Sequence, residues 1–216
     1  MNIIWHGQSC FQITTQKGKN HLINIVINPF DESIGLKAPK LTADIVLITH
    51  SHYNNTKTIS GSPFIIDSPG EYEIKEIFIQ GIYAHHNLLP NKEKKLTTIY
   101  IIEVEGIRIC HLGDFGQKEL TTEQIEQIGE IKILMLPIGG VDTISAQEAV
   151  EVISQIEPKI IIPMYYQIPK LKIKLDGLDK FLKIAGIKTI EPQNKLSIKK
   201  EDALFTESSK IIILKP

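Results

Sequence analysis

The sequence predicts an α/β fold in a single domain over residues 1–216. Three observations carry this. Short apolar runs of strand length fill the first half, apolar runs alternate with helical patterns in the second, and no linker, low-complexity stretch or repeat divides them. With 216 residues and 42% hydrophobic content, the chain is long enough to bury one sizeable core.

The elements follow in order. Asn2–Trp5 and Cys10–Thr14 read as strands flanking Gly7, a tight connection. His21–Ile27 follows the polar Lys17-Gly18-Lys19-Asn20, a hairpin signal. Ile45–Thr49 is an apolar run of buried-strand length. Phe64–Ile66 and Ile77–Ile82 are further strands, separated by Ser68-Pro69-Gly70-Glu71, and Thr98–Val104 pairs with Ile107–Leu112 about Glu105-Gly106. In the second half Thr122–Gly129 is helical and Ile133–Leu136 is strand. Ser145–Ile156 is a helix capped by Ser145 or Thr143, with a core-facing stripe through Ala149, Val150, Ile153 and Ile156. Lys159–Pro163 is strand, Leu175–Ala185 helix stopped by Gly186, and Ile211–Leu214 strand.

Composition narrows the function classes. A net charge of −1 gives no electrostatic reason to expect nucleic acid or an anionic membrane surface. Cys10 and Cys110 make neither a metal-ligand spacing nor a disulfide framework. The start Met1–Gly7 lacks a charged segment followed by a long apolar one, and no run is long enough to span a bilayer. A cytoplasmic protein is the expectation.

Chemistry concentrates at strand ends. Asp44-Ile45-Val46-Leu47-Ile48-Thr49-His50-Ser51-His52 is a buried strand ending in two histidines at i and i+2. In extended chain such side chains point the same way, so two imidazoles can grip one metal ion. His85 and His86 end another strand, and His111-Leu112-Gly113-Asp114 closes a third. Zinc suits imidazole and carboxylate ligands of this kind. His6 and His21 read as structural, and Cys110 as a small buried apolar residue.

These motifs resemble the metallo-β-lactamase superfamily, in particular its small stand-alone hydrolases similar to the ascorbate-phosphate lactonases. The H-x-H-x-D-H signature of that branch is matched by His50-Ser51-His52-Tyr53-Asn54-Asn55. Gly7-Gln8-Ser9-Cys10-Phe11 resembles its opening motif, and Pro69-Gly70-Glu71-Tyr72-Glu73 an inner one. Gly81–His86 and His111–Asp114 match the segments of its third histidine and bridging aspartate, and Ile162-Pro163-Met164-Tyr165-Tyr166 matches a late segment. The resemblance spans Asn2 to about Leu182 and implies a four-layer αββα sandwich.

It also implies a ligand set with one half missing. The first metal site corresponds to His50, His52, His86 and Asp114, all of ligand chemistry. The positions exclusive to the second carry Asn54, Asn55 and Tyr165. Asn28 stands where the family usually has an aspartate, a carboxylate able to orient a metal-bound imidazole. His85 reads as a neighbour of the ligand rather than the ligand, and His111 as support behind the site. Glu71 and Tyr72 read as parts of a turn behind it.

Two functions follow from the resemblance. One is a hydrolase holding at most one zinc ion, with Asp114 as base toward water and a small ester, lactone or phosphodiester as substrate. The alternative is a catalytically silent, metal-free binding or regulatory scaffold. Assembly into homo-oligomers is compatible with the resemblance, although no interface is legible.

Overall fold

Alternation sets the first strand. In β1 (Asn2–Gly7), Ile3, Trp5 and Gly7 are buried and the residues between them half-buried, the period of two expected where one face is covered. The computed structural model describes residues 1–17, 21–50, 55–86, 95–199 and 208–216. In it β1 pairs antiparallel with β2 (Cys10–Lys17), and β2 with β3 (His21–Ile27). The short β4 (Leu41–Thr42) precedes β5 (Ile45–Leu47), and β6 (Ile59–Ser60) precedes β7 (Phe64–Ile66). β3, β5 and β7 run parallel, while β4 and β6 make a separate two-stranded piece.

The second sheet begins with an antiparallel run of β8 (Gly70–Ile74), β9 (Ile77–His85), β10 (Leu96–Val104) and β11 (Ile107–His111). Helix α1 (Thr122–Ile128) leads to β12 (Ile133–Pro137), and α2 (Ala146–Ile156) to β13 (Ile160–Met164). β11, β12 and β13 run parallel. Every residue of β12 and β13 is buried, as expected of parallel strands covered on both faces. After α3 (Leu178–Ile184), β14 (Leu196–Ser197) returns to the edge of the first sheet beside β1, and β15 (Lys210–Ile211) joins β13 in the second.

The result is an α/β sandwich. The strand orders are β14-β1-β2-β3-β5-β7 and β15-β13-β12-β11-β10-β9-β8. Ile3, Trp5, Ile25 and Leu47 of the first sheet and Ile79, Ile99 and Ile109 of the second share one core, to which α2 adds Ala149 and α3 adds Phe181. Among the described residues no α-helix precedes Thr122. On the opposite face of the first sheet, Val26, Val46 and Ile48 form a smaller cluster with Leu41 of β4 and Ile59 of β6. No helix among the described residues is long and apolar enough to cross a membrane.

Three elements differ from expectation. Gly70–Ile74 reads as a turn but is an edge strand. Its Glu71 and Glu73 are exposed, so it lacks the apolar alternation that marks a half-buried strand. Helix α3 starts at Leu178 rather than Leu175. The Leu175 amide donates to Gln167 Oε1 and the Asp176 amide to the Gly139 carbonyl, so both are committed elsewhere. β15 ends at Ile211, and beyond it Leu214 bridges to Gln193. For α2, the cap is Ser145, in a reciprocal capping box with Glu148.

One buried hydroxyl joins the sheets. Tyr100 of β10 is fully buried, and its O–H reaches both the Ile48 carbonyl at 3.1 Å and the Ile66 carbonyl at 3.2 Å. Tyr100→Phe removes this donor where water cannot replace it. Urea unfolding is expected to show a loss of about 1–3 kcal/mol. An unchanged midpoint would mean that the contact adds nothing to sheet docking.

Candidate metal centre

Three strand ends deliver the chemistry. His50 lies three residues beyond β5, His86 immediately after β9, and Asp114 three residues beyond β11. His50 Nε2 is 3.3 Å from Asp114 Oδ2, and His86 Nε2 is 3.5 Å from the same oxygen. The two imidazole rings are 6.1 Å apart, inclined at 52°. His86 and Asp114 are buried, and the His50 side chain is nearly so. His52 and Asn54 lie outside the described residues.

The approach of β11 to β5 needs a glycine. Gly113 has φ +59, and a Cβ there would stand 2.7 Å from Thr49 Cβ and 2.9 Å from Thr97 Oγ1. Any side chain would press Asp114 away from His50. On the other side, the Thr49 carbonyl accepts from the Thr98 amide at 2.8 Å and from the Thr97 hydroxyl at 3.2 Å. The His86 amide donates to the Lys95 carbonyl, and the His85 amide to Gln117 Oε1. These bonds hold the His86 backbone in register with β10.

Electrostatics keep Asp114 ionised. Burial pushes its carboxyl up, but the charges of His50 and His86 and hydrogen bonding from His86 and Ser9 outweigh it and hold it below the ordinary carboxylate value. Its Oδ1 is buried and has no hydrogen-bond partner of normal geometry.

The donor set fits a divalent ion bound by nitrogen and oxygen. Two ligands at about 2.0–2.1 Å from zinc, at a tetrahedral angle, lie roughly 3.3–3.4 Å apart. The observed 3.3 and 3.5 Å match that edge, and exceed the usual charge-assisted hydrogen bond of about 2.7–2.9 Å. An acceptor oxygen buried without a donor, like Oδ1, is also better matched to a cation than to a protein interior. Among the described residues alone the cation site is incomplete. The donors meet in two pairs through one oxygen.

His111 plays a different part. Its Nδ1 accepts from the Gly113 amide at 3.0 Å, so its neutral ring carries the proton on Nε2, which donates to the Ser9 carbonyl at 3.0 Å. Both nitrogens are committed, and the ring pins the second sheet to the β1–β2 turn. Full burial depresses its pKa to about 4.

Asn28 does not touch an imidazole. Its Oδ1 accepts from the Thr49 amide at 2.8 Å, and its Nδ2 donates to Thr49 Oγ1 at 2.7 Å and Ser9 Oγ at 3.1 Å. Thr49 Oγ1 in turn lies 2.9 Å from His50 Nδ1. The orienting residue is therefore the hydroxyl of Thr49, which sequence reasoning missed. Its signal was its position, directly before the first histidine.

At the other positions that the resemblance singles out, Asn55 caps the 3-10 turn Thr56–Thr58, its side chain accepting from the Lys57 amide at 3.1 Å. Tyr165 is buried at the end of β13 with φ 53, and its amide donates to the Gln8 carbonyl at 3.2 Å. Trp5 Nε1 donates to that same carbonyl at 2.8 Å. The Tyr72 hydroxyl bonds Ser68, closing a turn beside the site.

A cavity of about 540 Å³ opens over the histidines. His50, His86, Asp67, Tyr83, Lys95 and Leu96 are among the residues that line it. Asp114 is not on its surface but beneath the two rings.

Comparison with known proteins places this arrangement. Residues 2–165 match the family model described as the β-lactamase superfamily domain. A UPF0173 metal-dependent hydrolase of Thermoplasma volcanium is 29% identical over 195 residues, covering 77% of this chain and 83% of that protein. A crystal structure from Thermotoga maritima, described as a proposed zinc-dependent hydrolase of the metallo-β-lactamase superfamily, superposes with a TM-score of 0.77 at 33% identity. It covers 99% of this chain, and this chain covers 97% of it. Igni18, a metallo hydrolase from Ignicoccus hospitalis, shares the fold at 19% identity and a TM-score of 0.63, over 92% of this chain and 99% of its own.

The buried His111 makes stability depend on pH. The unfolded chain takes up this proton below about 6.5, while the folded protein resists it down to about 4. Between these values the unfolded state holds the extra proton, so stability falls as pH falls. From about pH 7 to about pH 5 the loss is roughly 2 kcal/mol, read by urea unfolding. His111→Gln should flatten most of this dependence and leave a smaller slope from the half-buried His6, whose pKa burial also lowers. An equal slope in both proteins would remove His111 as its source.

Proposed function

Because the chain belongs to the metallo-β-lactamase superfamily, we propose that it is a metal-dependent hydrolase holding one ion, zinc by donor chemistry, through His50, His52, His86 and Asp114. The observation that carries this is the convergence of two Nε2 atoms on one Asp114 oxygen at a tetrahedral edge length, with the second oxygen unpartnered. Held by the three histidines with a position left open, such an ion would lower the pKa of a water and polarise a carbonyl or phosphoryl oxygen; with Asp114 as a tight fourth ligand the site would be closed and structural.

The chain's own groups do the rest. Asp114 stays ionised, and its role as base requires a water that reaches it between the two rings, since it does not line the cavity. The strand ends and their hydrogen bonds across to β10 and Gln117 position His50 and His86 from the backbone. The cavity suits a small substrate, with Lys95 as a cation on its wall and Leu96 and Tyr83 as an apolar rim. We assign the substrate to small esters, lactones or phosphodiesters. Asn55 supports a count of one ion, since its side-chain oxygen is committed to a backbone amide.

Metal analysis tests this reading. The purified protein, supplemented with zinc, is expected to carry about one equivalent. His50→Ala and His86→Ala should lose it, and His85→Ala should keep it. Loss in His85→Ala alone would shift the ligand assignment by one residue. No zinc in the wild-type protein would sink the metal reading and favour the scaffold function.

A further inference from the structure

We infer that Asn28 sets the direction of a buried hydrogen-bond chain that keeps the His50 proton on Nε2, the atom a metal would need bare, and so weakens metal binding at this site. The inference rests on the ligand role proposed for His50.

The direction is legible from one backbone group. The Thr49 amide can only donate, and its partner on Asn28 is Oδ1. That fixes the other end of the carboxamide as NH₂, with its two hydrogens on Ser9 Oγ and Thr49 Oγ1. The Thr49 hydroxyl thus receives a hydrogen from Asn28. Its own hydrogen is free to point to His50 Nδ1, 2.9 Å away. A neutral imidazole that accepts at Nδ1 carries its proton at Nε2. Nε2 is the nitrogen that faces the Asp114 carboxylate at 3.3 Å, which favours a proton there as well.

A metal on Nε2 requires the opposite arrangement. The proton must move to Nδ1 and donate to Thr49 Oγ1. That oxygen would then receive from both Asn28 and His50, and its own hydrogen would lose the Nδ1 acceptor inside a buried network. An aspartate at position 28 removes the conflict. Its second oxygen accepts from the Thr49 hydroxyl, which frees that hydroxyl to accept from Nδ1–H. Asn28 is therefore a positioning residue that acts on His50 through Thr49. Outer hydrogen-bond partners of metal-binding histidines change affinity by about 10–100-fold.

The test reads proton position and metal affinity separately. Nitrogen-edited NMR of metal-free protein at about pH 8, above the ordinary imidazole range, is assigned to His50 by loss of its signals in His50→Gln. The wild-type Nδ1 should show the shift of a bare acceptor nitrogen, and Asn28→Asp should show a protonated Nδ1. Zinc competition against a chromophoric chelator should show binding about 10–100-fold tighter in Asn28→Asp. A protonated Nδ1 in the wild-type protein overturns the inference, and this arm does not depend on Asn28→Asp folding. Equal zinc affinity in two folded proteins that both bind zinc also overturns it. If the nitrogen shifts change as expected but neither protein binds zinc, the proton placement stands and the metal reading of the preceding subsection falls.

Discussion

The candidate site depends on how closely the two sheets meet at Thr49. There β5 ends, β10 hydrogen-bonds across to its carbonyl, and the chain after β11 passes so near that only glycine fits at position 113. Each of these contacts is short and polar, and each lies between elements far apart in the chain. Because the seam is buried, its groups must satisfy one another, which makes their geometry stiff. His50 and Asp114 are each within two residues of it. Their separation is thus set by the docking of the sheets rather than by the local loops.

The same seam explains the division of labour among the histidines. His111 has both nitrogens tied to backbone groups and works as a rivet between the sheets. His50 meets Thr49 at Nδ1, and the His86 amide donates to the Lys95 carbonyl. These two keep a ring nitrogen directed at Asp114. The difference is one of hydrogen-bond supply. A ring with two backbone partners is held neutral by burial, whereas a ring facing a carboxylate retains a nitrogen for chemistry.

The residues at the positions where the resemblance implies missing ligands have structural tasks of their own. Asn55 caps a turn, a task its side chain suits better than histidine would. Asn28 accepts from the amide of Thr49 and donates to the hydroxyl of Ser9. Both residues support the local fold through hydrogen bonds to backbone amides. A site with fewer anionic groups also calls for less metal charge to balance them.

Much of this was written in the chain itself. Apolar runs such as Ile45–Thr49 and Ile133–Leu136 and the cap at Ser145 announce their elements, because periodicity and capping are local. The family, and the gathering of His50, His86 and Asp114, were legible because the motifs sit at strand ends in a fixed order. The edge strand Gly70–Ile74 was not, since its exposed charged positions leave no alternation to read. Nor was the chain from Asn28 through Thr49 to His50, or the two backbone partners that hold His111, whose supporting place was legible. Those depend on which way an amide faces and which carbonyl lies opposite a ring, and such facts exist only once strands distant in sequence are packed together.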